Sequence, residues 1–331
     1  MGKLIYKIKN WKLRLREKFH YPLIFHFTRC IKMFITSPQA SIRQGFLKIM
    51  FGLTYRCQCK CIYCCSGRYP VNEKEELMTQ EVKRILKEIS VLPSLFTVVS
   101  FFGGEPLLRE DIFELIKYAN NLGLFTEVET NGILLSKDNV VKLKKAGLHH
   151  IFIRLESSNP EIHDKLSNYD GCFERAMEGI NNCIREKLAC TISTIALKEK
   201  IYNGDLEKII DIGKRLKVTS IRVLYPTLAG NWTNERSQLL NAEEKARIGK
   251  LLEPDFIYLE STYSANKNIG RICPSLQKKF FYISPYGEIQ PCPFVPLKFG
   301  NIRLEKLDNL LKKMWYVPLF YCENNLLCFS K

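Results

Sequence analysis

Strand-like and helix-like segments alternate from about residue 46 onward, and this alternation constrains the fold of the 331-residue chain more than any other feature. Consecutive strands joined by helices form a parallel sheet with right-handed crossovers. The units found here predict an α/β fold, a partial (β/α)6 barrel with fewer strands than a complete one. The strand candidates are Phe46–Leu53, Thr97–Phe102, Phe125–Glu129, His150–Glu156, Cys190–Leu197 and Ser220–Tyr225. Between the first two, the spacing of Val82, Ile85, Leu86 and Ile89 predicts the apolar stripe of a helix.

The composition changes on both sides of this alternation: basic residues are concentrated before it, and turn residues and cysteines after it. After about residue 255, turn residues and cysteines become frequent, as in Ser284-Pro285-Tyr286-Gly287 and Pro291-Cys292-Pro293. We expect the core of this segment to be small, and a small core often needs a bound metal to be stable. We therefore predict a segment over 1–45, a barrel over 46–255 and a small cysteine-rich extension over 256–331.

The net charge of +16 is concentrated at the N-terminus, because residues 1–48 contain eleven Lys or Arg and one acidic residue. This distribution argues against a general nucleic-acid-binding surface. Residues 3–19 predict a basic amphipathic helix with an apolar stripe from Leu4 to Phe19. Such a helix either packs on the barrel with its basic face in water or makes a peripheral contact with an anionic membrane.

Location and cysteine content point to a reducing compartment. No apolar run approaches the roughly 20 residues of a membrane span, and the N-terminus lacks the pattern of a signal peptide, so we expect a cytoplasmic protein. Thirteen cysteines in such a protein are expected to be metal ligands or catalytic groups more often than disulfides.

Five of the cysteines fall between Cys57 and Cys65, directly after the first strand. In a parallel barrel this loop lies at the C-terminal edge of the sheet, where such enzymes place their chemistry. Closely spaced thiolates on such a loop suit an iron–sulfur cubane, because one chain can wrap three of its corners. A zinc site that uses pairs such as Cys61 and Cys64 is the alternative. The role of Cys59 and Cys65 stays open.

The spacing Cys57-x3-Cys61-x2-Cys64, with the aromatic Tyr63 before the last cysteine, resembles the signature of the radical S-adenosylmethionine (SAM) superfamily. The resemblance implies a [4Fe–4S] cluster that these three cysteines hold, whose open iron binds SAM and whose electron breaks the sulfonium bond. The deoxyadenosyl radical then abstracts hydrogen from a peptide or small-molecule substrate. An electron donor such as flavodoxin or ferredoxin is also implied. The alternative class is a non-catalytic iron–sulfur electron carrier or scaffold.

Three further segments continue the resemblance, each at the end of a strand. Gly103-Gly104-Glu105-Pro106 resembles the motif that holds the amino group of SAM, and a carrier would not need it. Thr130-Asn131-Gly132 resembles the next SAM-facing turn, although a simple Asn-Gly turn fits equally well. Arg154 and Glu156 occupy the fourth motif, where the family usually has Ser and Asp. Arg154 either pairs with the SAM carboxylate or forms a structural ion pair with Glu156.

The extension resembles the SPASM/Twitch domain of radical SAM enzymes through Cys273-x13-Gly287-x4-Cys292, followed by Gly300-Asn301-Ile302. That resemblance implies an auxiliary [4Fe–4S] cluster. Full SPASM domains use more cysteines than remain here, so a single Twitch-like cluster fits better. Its implied ligands are Cys273, Cys292, Cys322 and Cys328.

Overall fold

The computed structural model describes residues 45–253, 255–260, 264–266 and 270–317. The predicted helix over 3–19 therefore lies outside the described residues, as do Cys322 and Cys328. Among the residues described, no helix is long and apolar enough to cross a membrane.

The main sheet has nine strands and is not closed into a barrel. The strands are β1 (Phe46–Thr54), β2 (Phe96–Gly103), β3 (Phe125–Thr130), β4 (His150–Arg154), β5 (Cys190–Ile195), β6 (Ser220–Leu224), β7 (Ile257–Glu260), β10 (Phe280–Ile283) and β11 (Ile289–Gln290). Their order across the sheet is β11-β10-β1-β2-β3-β4-β5-β6-β7. Neighbouring strands from β1 to β7 pair in parallel, as the strand–helix alternation predicted. All six predicted strands are present, and β7 follows them as a seventh. A separate two-stranded sheet pairs β8 (Ser264–Asn266) with β9 (Gly270–Ile272).

Helices cover one face of this sheet. In the first, the predicted apolar stripe Val82, Ile85, Leu86 and Ile89 is fully buried, because residues at this spacing share one side of a helix. The helix that follows β4 begins where the Asn159 side chain accepts a hydrogen bond from the Ile162 N–H, a favourable N-cap. The helices are α1 (Thr79–Ser90), α2 (Ile112–Asn121), α3 (Lys137–Lys145), α4 (Pro160–Ser167), α5 (Cys172–Arg185), α6 (Lys198–Tyr202), α7 (Asp205–Leu216), α8 (Ala242–Leu251) and α9 (Leu307–Trp315).

The two faces of the parallel strands differ in polarity, because successive side chains point to opposite sides. On β1, Leu47, Ile49 and Phe51 join the apolar core between sheet and helices. Lys48 points to the other face, where its Nζ lies 3.1 Å from a Glu127 carboxylate oxygen. The concave inner face thus carries charged groups, and they must be paired to be buried at low cost.

The cysteine-rich extension is joined to the sheet by hydrogen bonds. Strand β10 pairs in parallel with β1, so that Tyr282 lies beside Met50, and β11 pairs with β10 in antiparallel orientation. Arg303 reaches the first helix, with its Nε 2.7 Å from the Glu81 carboxylate. The proposed boundary near residue 255 stays a prediction, and backbone pairing between strands continues across it.

Candidate active site

A cavity of about 610 Å³ opens at the C-terminal ends of the parallel strands. Because these ends meet at one edge, motifs far apart in sequence converge there. The predicted site residues on its wall are Cys57, Cys61, Tyr63, Cys64, Gly103, Gly104, Thr130, Asn131, Arg154, Cys273 and Cys292. Glu105 and Glu156 are fully buried and lie behind this wall.

The cysteine loop is fixed by backbone contacts on two sides. The N–H groups of Lys60 and Ile62 donate to the carbonyls of Ser167 and Leu166, at the end of α4, over 3.1 Å each. The Asn231 side chain donates to the Cys61 carbonyl over 3.0 Å. The loop is therefore held in place without using its thiol groups.

Gly230 makes the Asn231 contact possible, and sequence reasoning missed both residues. Gly230 has a φ of +55°, and a Cβ there would lie 2.1 Å from the Cys64 carbonyl oxygen. Only glycine permits such an approach in this conformation. The sequence signal available was Gly230-Asn231-Trp232 in a polar stretch after β6, and Trp232 packs edge-on against Tyr63 at 6.0 Å between ring centroids.

The thiols of the loop differ in environment. Cys57 is exposed, whereas Cys61 and Cys64 are half-buried. A hydrogen bond with the Cys59 thiol lowers the pKa of Cys61 to about 7, while burial raises the pKa of Cys64 to about 12. Cys59 itself is buried beside Cys172 and Ile133. Cys61 therefore forms a thiolate, the form that binds metal, at a lower pH than Cys64 does.

The thiols of Cys57, Cys61 and Cys64 border the same cavity. Within the described ranges, no three His, Cys, Asp or Glu side chains come together as the ligands of one metal ion do. In a cubane each thiolate binds a different iron, whereas a zinc site requires a compact tetrahedral set. The assignment of these three thiols to a cluster stays a prediction.

Gly103 and Gly104 bring the end of β2 against the end of β1. The Gly104 N–H donates to the Thr54 carbonyl over 2.7 Å, and the Glu105 N–H donates to the Arg56 carbonyl over 2.8 Å. A Cβ on Gly104 would lie 2.2 Å from the Arg56 carbonyl oxygen. The glycines are thus required by this close approach, and the cysteine loop begins directly beside them.

Glu105 links the second and third motifs. One carboxylate oxygen accepts hydrogen bonds from the Thr130 hydroxyl at 2.9 Å and the Leu107 N–H at 3.1 Å, and the other accepts from the Asn131 N–H at 2.9 Å. The Asn131 amide then reaches the Cys57 sulfur at 3.8 Å. Burial raises the pKa of Glu105 to about 7. Its predicted contact with the SAM amino group stays a prediction.

Replacing Glu105 by Gln is expected to remove a pH dependence of stability from the cluster-free protein. A carboxyl group with a folded pKa of about 7 and an unfolded value near 4.5 binds its proton more tightly when folded. The free energy of unfolding should therefore fall as the pH rises from about 4.5 through 7, by up to about 3 kcal/mol.

Urea denaturation at several pH values measures this slope. Because Gln does not titrate, Glu105→Gln should flatten it, while Glu161→Gln on an exposed side chain should leave it unchanged. Identical slopes in the wild-type protein and Glu105→Gln would contradict the prediction.

Arg154 presents its guanidinium to the cavity above the Tyr63 ring, 5.2 Å from the centroid. One of its nitrogens lies 3.2 Å from a Glu156 carboxylate oxygen. The structural ion pair that the sequence suggested is therefore present. His163, buried nearby in α4, accepts a hydrogen bond from the Glu156 N–H at 3.0 Å and packs against Phe173.

A charged group that sequence reasoning missed forms the inner wall of the cavity. Arg222 lies over the Phe152 ring at 4.1 Å and binds Glu129 through two nitrogens at 3.0 and 2.8 Å. It also donates to Glu260 at 2.8 Å. Burial alone would raise the pKa of Glu129, but the Arg222 charge outweighs it and lowers the pKa to about 2.

Comparison with known proteins decides the family. The model of the radical SAM superfamily matches residues 52–225, the region that contains the cysteine loop and the strand-end motifs. The chain belongs to the radical SAM superfamily. A similar protein is the AdoMet-dependent heme synthase of Methanosarcina barkeri, 25% identical over 279 residues, which covers 77% of this chain and 79% of the relative.

A peptide cyclase and a SAM-bound solved structure are also similar to this chain. The PqqA peptide cyclase of Rhizobium meliloti is 27% identical over 285 residues, which covers 80% of this chain and 72% of the relative. The structure of Streptococcus suis SuiB bound to S-adenosylmethionine shares the fold, with a TM-score of 0.65 at 17% identity over 84% of this chain and 67% of that chain.

The protein is therefore a radical SAM enzyme with a [4Fe–4S] cluster and SAM as its cofactors. When bound, they supply a deoxyadenosyl radical that abstracts hydrogen from the substrate. The alternative of a non-catalytic electron carrier is not favoured.

Proposed function

We propose that Cys57, Cys61 and Cys64 hold the SAM-binding cluster and that the ends of β2, β3 and β4 bind SAM beside it. The observation that carries this proposal is that all three thiols share one cavity wall with the Gly103–Gly104 turn and Arg154. An enzyme of this family needs its cluster, SAM and substrate hydrogen in contact, and one cavity allows that.

Each motif has a distinct part in this proposal. Gly103 and Gly104 leave backbone room for the ligand, and Thr130 and Asn131 orient the Cys57 side of the loop. Arg154 is a cation that borders the cavity beside the cysteine loop, where its guanidinium lies over the Tyr63 ring, so we assign it to the SAM carboxylate. Glu156, buried behind Arg154, fixes the direction of the guanidinium. The Tyr63 ring packs against the same guanidinium.

We further propose that the substrate is a peptide. The PqqA peptide cyclase resembles this chain over most of its length, and a structure of SuiB bound to its precursor peptide SuiA has the same fold. A flavodoxin or ferredoxin would supply the electron. Cytoplasmic action and membrane contact by residues 3–19 remain predictions from the sequence.

A tetrapyrrole is the second candidate substrate, because the heme synthase matches at a similar identity. Titration with Fe-coproporphyrin, followed by its visible absorption, distinguishes the two. Saturable binding within the micromolar range would favour the tetrapyrrole over the peptide.

We also propose an auxiliary cluster in the extension. Cys273 and Cys292 are buried on the same cavity wall as the cysteine loop, and the sequence supplies Cys322 and Cys328 as further ligands. Four thiolates would occupy all four irons, so this cluster would not bind SAM.

Counting iron in anaerobically reconstituted protein tests both cluster assignments. We expect about eight irons per wild-type chain and about four in the variant with Cys57, Cys61 and Cys64 changed to alanine. The Cys273→Ala/Cys292→Ala variant should also hold about four. If the protein without Cys57, Cys61 and Cys64 folded but held no iron, the auxiliary cluster would be refuted. If it held as much iron as the wild-type protein, the assignment of the SAM-binding cluster would be refuted.

A further inference from the structure

Lys200 is a buried lysine whose contacts mark it as charged. Its side chain, in α6, is 3% exposed. The Nζ donates to the Thr194 hydroxyl and to the Ile195 carbonyl, both over 2.6 Å, and lies 3.5 Å from a Glu156 carboxylate oxygen. An ammonium group has three donors and a neutral amine has two, so three acceptors around the Nζ fit the ammonium.

Glu156 joins Lys200 to Arg154. Its first carboxylate oxygen lies 3.2 Å from Arg154. Its second accepts a hydrogen bond from the Ile195 N–H at 2.9 Å and faces Lys200. One carboxylate is therefore shared by two cations, one of which faces the cavity while the other is buried.

The sharing determines how much positive charge Arg154 offers to a ligand. With Lys200 in place, the three groups carry a net charge of plus one. Without it, Glu156 would fully compensate Arg154. Charge differences of this kind act strongly at buried positions because little water screens them.

We infer that Lys200 is a positioning residue for the SAM carboxylate: it holds Glu156 and thereby leaves Arg154 both oriented and uncompensated. This inference rests on the proposed function, in which Arg154 receives that carboxylate. A purely structural Lys200, which only satisfies the Thr194 and Ile195 oxygens, would affect stability and not the recognition of a carboxylate.

The test compares the affinities of the cluster-reconstituted protein for SAM and for decarboxylated SAM, measured by equilibrium dialysis. Decarboxylated SAM lacks only the carboxylate. The dissociation constant of decarboxylated SAM divided by that of SAM therefore reports how strongly the protein recognises the carboxylate. Lys200→Met should reduce this ratio about tenfold. Arg154→Met should reduce it at least as much, and the double variant should lose no more than Arg154→Met alone, because both residues act through one contact.

Val140→Ala is the control for stability, since it removes buried volume from α3, away from the cavity wall. It should leave the ratio unchanged. If Lys200→Met does not fold, Lys200→Gln removes the charge and retains a donor for the same comparison. A folded, uncharged variant with the wild-type ratio would overturn the inference alone. A wild-type protein that does not prefer SAM would overturn the proposed function together with it.

Discussion

Changing Cys57, Cys61 and Cys64 together to alanine is expected to abolish the release of deoxyadenosine from SAM by the reduced, iron-reconstituted protein. Without these thiolates no cluster is held beside the Gly103–Gly104 turn, and no electron reaches the sulfonium bond. The auxiliary cluster should not replace it, because its irons are fully ligated in our proposal. Chromatography of the anaerobic reaction mixture measures the product.

A matched control comes from a cysteine of the core. Cys183 is fully buried in α5, away from the cavity wall, and Cys183→Ala removes one thiol without touching the loop. This variant should keep deoxyadenosine release within about twofold of wild type once a modest loss of stability is allowed for. If the triple variant released as much deoxyadenosine as the wild-type protein, other residues would hold the cluster.

Gly104→Ala should have the second largest effect. The new methyl carbon would lie 2.2 Å from the Arg56 carbonyl oxygen, and neither backbone segment can move without breaking the hydrogen bonds between the ends of β1 and β2. We expect a loss of about 1–3 kcal/mol in the free energy of unfolding. Because the cysteine loop begins at Arg56, SAM cleavage should fall about a hundredfold.

Gly249→Ala provides the comparison for this substitution. Gly249 lies in α8 with no atom within 4 Å of an added Cβ, and alanine is favoured over glycine within a helix by roughly 0.5–1 kcal/mol. Urea denaturation should show equal or greater stability for Gly249→Ala, with unchanged cleavage. Equal behaviour of the two variants would mean that the contact between Gly104 and Arg56 does not position the loop.

Much of the fold was predictable because hydrophobic periodicity reports burial directly. The stripe from Val82 to Ile89 and the six strand candidates were identified by local patterns, and the structure confirms both. Strand β10 was not predicted: it is short, and only its pairing with β1 defines its place in the sheet. Local sequence carries little information about which distant strand a segment will join.

The residues of the candidate site also differ in whether a local sequence pattern indicates them. Gly103, Gly104 and the cysteine loop belong to contiguous motifs, so the sequence alone indicated them. Lys200, Arg222 and Asn231 each contact a group distant in the chain, namely Glu156, Glu129 and the Cys61 carbonyl. No spacing rule connects the members of these pairs. The sequence did not decide whether Arg154 binds the SAM carboxylate or forms an ion pair with Glu156. A separation of two residues does not show whether a third charged group lies behind them.

The pairing of β1 with β10 also has a consequence for the order of events during synthesis. Lys48 pairs with Phe280, so one edge of β1 stays unsatisfied until the ribosome has made most of the chain. An unpaired strand edge is a site for aggregation, and nascent chains emerge at about 5–20 residues per second. Between the emergence of β6 and that of β10, the incomplete barrel must therefore wait several seconds with this edge exposed. The rate of elongation, and not the rate of initiation, sets the length of this wait for each chain.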